Sequence, residues 1–340
     1  MAPMRVGLAL PHYGFSFPDG RPLGWEPLLE AARRAERLGF DSAWVSDHFF
    51  LDLDRYGGSD EPAGSIEPFT AVAALAASTQ RIRLGTLVAC APFRHPAHVA
   101  KMATSIDLAS GGRFDLGLGA GWYQREFDAF GYEFPPVSER FAFLEESVGA
   151  VAALFREGPV DVAGDRVRLS GAFNHPLPAT PGGPPIWVGG KGGQRLLRLV
   201  ARHASGWNVV WKATPEWHSQ RAEALRNTCG GEGRDPASVR LSVGLYTLVG
   251  EDDADVARRY RRLQAWAPGG ALETTTLEAF AADTLTGTVE HCLGRLRAFA
   301  ANGVDEVIVC AASIPFAVHD WESVDVIAER LLPEAHALGA

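Results

Sequence analysis

Short apolar runs alternate with longer amphipathic segments along almost the whole chain. Parallel strands that are buried on both faces have continuous apolar runs of this kind instead of strict alternation. Eight runs predict strands, at 4–10, 42–46, 82–89, 113–118, 185–188, 207–211, 239–249 and 306–310. The segments between them have a helical period. In 25–38, for example, apolar residues recur three and four positions apart, and Gly39 follows as a typical helix cap.

Eight strand–helix units predict an α/β fold, a single (β/α)8 TIM barrel that spans 1–340 as one domain. A doubly wound sheet of eight strands has the same periodicity, so the pattern alone leaves both architectures open. Three insertions interrupt the alternation, after strand 4, before strand 5 and after strand 7. The second contains a predicted hairpin at 158–172, and the third, 267–288, is a candidate active-site lid.

Composition and charge exclude several classes of protein. Hydrophobic residues make up 46% of the chain and charged residues 21%, as in ordinary globular proteins. No apolar run has membrane-spanning length, and the first one is too short for a signal peptide, so we expect a cytoplasmic protein without membrane contact. The net charge of −9 argues against nucleic acid as a partner. The four cysteines form no CxxC pair, and no third ligand accompanies His12 and His48, so we expect no metal.

In a barrel of this type the reactive groups follow the carboxyl ends of the strands. Aromatic residues and one histidine in these positions predict a substrate pocket made by His12, Tyr13, Trp122 and Trp211. Asp47 and His48 follow strand 2, and His48 is a candidate proton carrier with a carboxylate beside it. The structural alternative is that Asp47 caps a turn and His48 makes ordinary hydrogen bonds. Glu67 and Glu126 are further candidate pocket carboxylates, although Glu67 before a proline is also typical of a helix start.

Two glycine-rich segments follow strands 4 and 5. The first, 117–121, lacks the dinucleotide-binding spacing, and it allows either a close approach to a flat ligand or a tight turn. The second, 189–193, contains Lys191 and lies directly before a predicted helix. Free backbone N–H groups at a helix N-terminus bind phosphate, so this segment is a candidate phosphate site, with a flexible loop as the alternative.

Several collinear motifs resemble the luciferase-like monooxygenase superfamily, and most of all its deazaflavin (coenzyme F420)-dependent oxidoreductases. These motifs are AERLGFDSAWVSDHFF, RIRLGTLV, RHPAHVAKMATSIDLASGGRFDLGLGAGW, EFDAFGYEFPPVSERFAFLEE, IWVGGKGG and LRLVARHASGWN. They keep the family order over about residues 4–210. The resemblance implies a TIM barrel, F420 as cofactor, a small-molecule substrate and a homodimer formed through the helices beside strands 2 and 3.

The resemblance also assigns roles to residues. It places Asp47 and His48 beside the reactive ring, with His48 exchanging a proton and Asp47 orienting it. The remaining positions that it assigns to cofactor binding are Thr86, Leu87, Val88, Gly119, Ala120, Gly121, Gly189, Gly190, Lys191 and Gly192. In the family, the position of Leu87–Val88 often has a non-prolyl cis peptide that supports the ring.

One departure concerns the substrate. Sugar-phosphate dehydrogenases of this group have a catalytic glutamate where this chain has Trp122, which argues against sugar-phosphate oxidation. The expected reaction is therefore hydride transfer between F420 and another small organic substrate, apolar or flat. Two alternatives remain on the same fold. One is an FMN-dependent two-component monooxygenase, since FMN has the same ribityl phosphate, and the other is a non-catalytic flavin-binding protein.

Overall fold

Eight parallel strands form a closed barrel in the computed structural model, which describes residues 3–338. The barrel strands, numbered in chain order, are β1 (Arg5–Ala9), β2 (Ser42–Val45), β3 (Arg83–Thr86), β4 (Phe114–Gly119), β5 (Ile186–Gly189), β6 (Gly206–Val209), β7 (Arg240–Gly250) and β8 (Glu306–Cys310). Each strand pairs with the next along the chain, and β8 closes the barrel on β1 in the register Arg5 to Glu306. All eight predicted strands are present, and the closure decides for the TIM barrel against the open sheet.

Helices surround the barrel. They are α1 (Trp25–Leu38), α2 (Pro68–Ser78), α3 (Pro96–Ser110), α4 (Gln124–Phe130), α5 (Val137–Leu154), α6 (Gln194–His203), α7 (Pro215–Gly231), α8 (Asp253–Trp266), α9 (Leu277–Ala281), α10 (Val289–Ala301), α11 (Trp321–Arg330) and α12 (Leu332–Ala337). Among the residues described, no helix has both the length and the apolar character needed to cross a membrane.

The three predicted insertions are present. The short helix α4 follows β4, and an antiparallel hairpin of Val160–Ala163 with Arg168–Ala172 precedes β5. The insertion after β7 contains α9 and the strand Leu285–Thr288, which pairs in parallel with the far end of β7. Its loop at Gly269 lies against the backbone of Ser59, in the loop that follows β2. The insertion therefore crosses part of the carboxyl end of the barrel.

Two buried tryptophans fill the lower part of the barrel. Trp44 of β2 and Trp187 of β5 meet edge to face, with ring centroids 6.4 Å apart. The strands beside them have glycine where the rings lie, because a Cβ at Gly85 or Gly206 would collide with the indoles of Trp44 and Trp187. Small residues opposite large ones allow such a barrel to close around a packed interior.

Both indoles are tied to buried carboxylates at the amino ends of the strands. Trp187 Nε1 donates to Asp115 at 3.1 Å, and Trp44 Nε1 donates at 2.7 Å to Ser42, which itself donates to Glu306. Arginines pair with both acids. They are Arg5 on Glu306 at 2.8 Å, and Arg83 on Asp115 at 2.6 Å. Burial raises the pKa of Glu306 against the attraction of its arginine.

His218 of α7 is enclosed among aromatic rings behind β6. It stacks on Trp207 with centroids 5.1 Å apart and meets the edge of Phe299 at 5.9 Å. Neither ring nitrogen has a hydrogen-bond partner among the described residues, and burial lowers the pKa of His218 to about 4. The ring is therefore neutral in the folded protein at pH 7.

We expect acid to destabilise the protein partly through His218. Its pKa is 6.5 in the unfolded chain and about 4 in the fold, so its contribution is complete above pH 6.5 and is lost as the pH falls towards 4. A shift of this size corresponds to a loss of about 3 kcal/mol. Denaturant titrations at pH 7 and pH 4.5 should therefore show a smaller acid loss for His218→Phe than for the wild type.

His98→Gln, at an exposed position of α3, is the matched control and should keep the full acid loss. An equal loss in His218→Phe and the wild type would show that the buried ring does not drive the effect.

Candidate active site

The carboxyl ends of β2 and β4 bring His48 against a buried carboxylate. His48 Nδ1 lies 2.8 Å from Glu126 Oε1, and the other carboxylate oxygen accepts the N–H of Phe49 at 2.9 Å. The Glu126 side chain is 2% exposed and that of His48 14%. His48 is surrounded by aromatic rings, with Trp122 at 5.6 Å and Tyr123 at 6.2 Å. The pair thus presents one imidazole nitrogen, Nε2, that Glu126 does not occupy.

Asp47 is adjacent to His48 in sequence but bonds elsewhere. Its Oδ2 accepts the N–H of Cys90 at 2.8 Å and Arg94 Nη1 at 2.5 Å, while Oδ1 accepts Arg94 Nη2 at 3.1 Å. Arg94 also reaches Glu67 at 2.7 Å, and Glu67 caps the N-terminus of α2, as its sequence position indicated. Asp47 therefore joins the loops after β2 and β3, and the carboxylate on the His48 ring belongs to Glu126.

His12 and Tyr13 lie fully buried beside this pair and share one partner, Ser46. His12 Nε2 donates to the Ser46 carbonyl at 3.1 Å, and the Tyr13 hydroxyl lies 2.6 Å from Ser46 Oγ. Burial lowers the pKa of His12 to about 4 and raises that of Tyr13 well above its usual value. Because Nε2 carries the hydrogen of a neutral ring, Nδ1 is an acceptor, and it has no partner among the described residues. A ligand N–H or O–H would satisfy it.

Val88 occupies a recess made by the glycines of neighbouring strands. The Leu87–Val88 peptide is cis, the arrangement that the family resemblance implies. A Cβ added to Gly119 would lie 2.6 Å from a Val88 methyl group, and one added to Gly189 would lie 2.8 Å from the other. The glycines that end β4 and β5 therefore leave room for a side chain from the segment that follows β3. Thr86 lies deeper, where its hydroxyl exchanges hydrogen bonds with the backbone of Gly117.

The segment 189–193 connects β5 to α6 and has features of an anion-binding site. The Gly190 N–H donates to the Asn208 carbonyl, but those of Lys191, Gly192 and Gly193 donate to no other described residue. Gly192 has φ +68° and packs on Trp207, a position that a larger residue cannot take without strain. Lys191 is exposed at the same turn. The segment combines free N–H groups, a helix N-terminus and one positive charge.

The two tryptophans predicted to line the pocket lie in different surroundings. Trp122 is 39% exposed, with the Arg55 guanidinium 4.5 Å from its ring centroid. Trp211 is nearly buried and stacks on Tyr246 at 5.8 Å, and its edge meets Phe316 at 5.0 Å. Both rings contribute apolar surface at the carboxyl end of the barrel. Gly121, directly before Trp122, has φ +75° and packs closely on Phe127 and Cys90, and Ala120 joins it to β4.

The structure adds residues that the motifs did not single out. Arg94 is the first residue of the motif RHPAHVAK, but the motif does not indicate its role, because its partners Asp47 and Glu67 come from distant parts of the chain. Tyr123 donates to the buried Asp52, which also accepts Arg125 at 2.6 Å, and burial together with that carboxylate raises the pKa of Tyr123 to about 12. The sequence does offer Glu126 as a candidate pocket carboxylate. It lies on a helical stripe with Tyr123 and Phe127, which are buried, whereas Phe130 at the end of the same stripe is 52% exposed.

No group of three or more histidine, cysteine or acidic side chains in 3–338 has an arrangement able to hold a metal ion. Within that range the site offers instead a histidine–carboxylate pair, an unpaired acceptor on a neutral histidine, an apolar surface and a candidate phosphate loop. Such a set can bind a flat cofactor with a phosphate and move one proton.

Comparison with known proteins agrees with this picture. A family model described as luciferase-like monooxygenase matches residues 4–306. This chain belongs to that family.

Two relatives and one solved structure illustrate the similarity. The chain is 35% identical over 184 residues to an F420-dependent glucose-6-phosphate dehydrogenase of Amycolatopsis mediterranei (strain U-32), covering 54% of this chain and 53% of that protein. It is 30% identical over 248 residues to a phthiodiolone/phenolphthiodiolone dimycocerosates ketoreductase of Mycobacterium bovis (strain BCG / Pasteur 1173P2), covering 68% and 64%. It thus matches less than two thirds of either relative's length.

The solved structure is an F420-dependent secondary alcohol dehydrogenase in complex with an F420-acetone adduct. It aligns over 98% of this chain and 99% of that one, with a TM-score of 0.77 and 21% identity. At that identity the likeness concerns the fold.

We expect the loss of Arg94 to loosen this site and destabilise the protein. Arg94→Met leaves Asp47, whose side chain is 3% exposed, without its cationic partner, which should lower the free energy of unfolding by about 3 kcal/mol. Arg21→Met removes an exposed pair with Asp19 and should cost less than about 1 kcal/mol. Denaturant unfolding of both variants measures the contrast, and equal losses would show that the Arg94 bridge is no stronger than a surface pair.

Proposed function

We propose that this protein is an oxidoreductase that transfers a hydride between coenzyme F420 and a small organic alcohol or carbonyl compound. The observation that carries the proposal is the His48–Glu126 pair. It presents one imidazole nitrogen among the aromatic rings of Trp122 and Tyr123. The similarity in sequence to F420-dependent relatives supports the choice of cofactor.

The residues present fit such a cofactor. The backbone N–H groups of 191–193 and the charge of Lys191 would hold its phosphate, and the Val88 recess would support its ring. His12 Nδ1 is a buried acceptor for an N–H or O–H of the bound molecules. When bound, F420 supplies or accepts the hydride. The protein's own part is to hold the reactants in position and to exchange the proton that accompanies the hydride.

His48 is proposed to exchange that proton. For an alcohol substrate, the O–H bond would break and its proton would bond to Nε2, while the hydrogen on carbon would leave as hydride; the bound cofactor would supply the hydride acceptor. The reverse direction returns the proton from Nε2 to the carbonyl oxygen. His12 cannot take this role as readily, because burial keeps it neutral and Ser46 fixes its tautomer.

Trp122 favours an apolar or flat substrate over a sugar phosphate. The indole is half exposed beside His48 and makes no hydrogen bond with the described residues. With Trp211, which is 9% exposed, it would offer ring surface for contact instead of a carboxylate, whereas Tyr13 is fully buried.

A homodimer in the cytoplasm is part of the proposal. All four cysteines are free and buried, which supports a reducing compartment. Leu108 of α3 is exposed, and so are Phe173 and Leu177 in the segment that packs along α3 through Asn174 and Thr180. Their apolar surface supports an interface that includes α3.

Parallel binding titrations of the cofactor-stripped protein with F420 and with FMN test the cofactor. We expect tight, saturable binding of F420 and weaker binding of FMN, followed by turnover of secondary alcohols or ketones monitored by deazaflavin absorbance. Preferential binding of FMN would instead support the two-component monooxygenase. Tight F420 binding without turnover across a broad panel would support a non-catalytic binding protein.

Replacement of His48 tests the proton role. His48→Asn should lower turnover by at least about 100-fold, because a positioned acid–base group contributes a factor of that order. Cofactor affinity, measured in the same titration, should change little. A variant with full turnover and unchanged affinity would exclude His48 from the reaction.

A further inference from the structure

We propose that Glu126 is the residue that positions His48 for the reaction, a role that the sequence motif places on Asp47. Glu126 would hold the ring in the tautomer with hydrogen on Nδ1, so that Nε2 faces the substrate as an acceptor. This inference rests on the proposed function. It concerns the chain's own hydrogen bonds and can therefore be tested without cofactor.

The geometry fixes the carboxylate at both oxygens. Oε1 lies 2.8 Å from His48 Nδ1, and Oε2 accepts the Phe49 N–H at 2.9 Å. A carboxylate only accepts hydrogen bonds, so Nδ1 must be the donor, and the neutral ring has its lone pair on Nε2. The second bond, to Phe49, prevents the carboxylate from rotating away from the ring.

Asp47 and Glu126 have different charged partners, which indicates that they have different roles. Asp47 is paired with Arg94 through both oxygens. Glu126 is buried, and His48 is its ion-pair partner among the described residues. Asp47 thus has a cationic partner, Arg94, which it shares with Glu67, whereas the negative charge of Glu126 faces His48 and is available to stabilise a proton arriving there. In buried surroundings this attraction is weakly screened, so it is strongest when the ring is charged.

The packing of α4 explains why Glu126 holds this position. Phe127, the next residue, is fully buried and contacts Phe93, with ring centroids 4.7 Å apart. It anchors the first turn of α4 against the loop after β3. Glu126 is thereby directed inwards towards His48, although the helix is otherwise largely exposed.

The substitution Glu126→Gln separates positioning from packing. Its amide has one acceptor oxygen and one donor nitrogen, so it cannot accept from both Phe49 N–H and His48 Nδ1–H. With the oxygen on Phe49, the NH₂ group faces Nδ1, and the ring must move its hydrogen to Nε2. That tautomer cannot accept the substrate proton.

The experiment is nitrogen NMR of histidine-labelled protein, with and without F420, in the wild type, Glu126→Gln, Glu126→Asp and Asp47→Asn. His48→Asn assigns the signal. We expect the Nδ1–H tautomer for His48 in the wild type and the Nε2–H tautomer in Glu126→Gln. Turnover in Glu126→Gln should fall by about 100-fold with little change in KM, because the loss is in the proton-transfer step. Glu126→Asp keeps a carboxylate and should recover part of the rate.

Asp47→Asn is the matched control. It should lower stability through the Arg94 bridge and leave the tautomer of His48 as in the wild type. An Nε2–H tautomer in the wild type overturns the inference, and so does an Asp47→Asn variant that switches the tautomer while Glu126→Gln does not. If Glu126→Gln switches the tautomer but no form of the protein transfers hydride, the positioning contact stands and the proposed function fails.

Discussion

The architecture depends on how the interior of an eight-stranded barrel is filled. Two indoles occupy most of the lower space, and each requires a glycine on an adjacent strand. Large rings alone would leave polar N–H groups unpaired in the core. Asp115 accepts that of Trp187 directly, and Ser42, which itself donates to Glu306, accepts that of Trp44. The acids in turn require arginines at the barrel floor. The packing of two indoles in the barrel thus accounts for the buried acids that their N–H groups reach, directly or through Ser42, and for the arginines that pair with those acids.

The same pairing of glycine with a bulky partner recurs at the opposite end. There the partner is Val88, and the glycines belong to the strands that lead into the two loops of the site. The lower set closes the barrel, and the upper set surrounds the recess that we propose for the cofactor ring. A glycine-rich strand end in this fold therefore has two explanations, steric fit to a neighbouring strand and approach to a ligand. Spacing within one strand does not distinguish them.

Much of the fold was predictable because local pattern determined it. The bounds of α1 follow from apolar periodicity and the glycine after it, and continuous apolar runs located all eight strands. Closure of the barrel was not predictable from periodicity, since it depends on pairing between distant strands. The family resemblance supplied the closed barrel.

At the site, Asp47 and His48 are neighbours in sequence, which suggested that the two side chains form a pair. Consecutive side chains in extended chain diverge, however, and the carboxylate that reaches His48 comes from a helix 78 residues away.

Trp122 illustrates how such a site can change over time. Its indole contacts Arg55 and neighbouring rings, is half exposed, and is not hydrogen-bonded within the described residues. The residues that hold the loop in place, Gly121 before it and Phe127 after it, are buried separately. Replacement at this position would alter the proposed substrate pocket while the folded framework keeps its own contacts. An exchange of the indole for a carboxylate here would therefore change the chemistry offered to a substrate at little cost in folding.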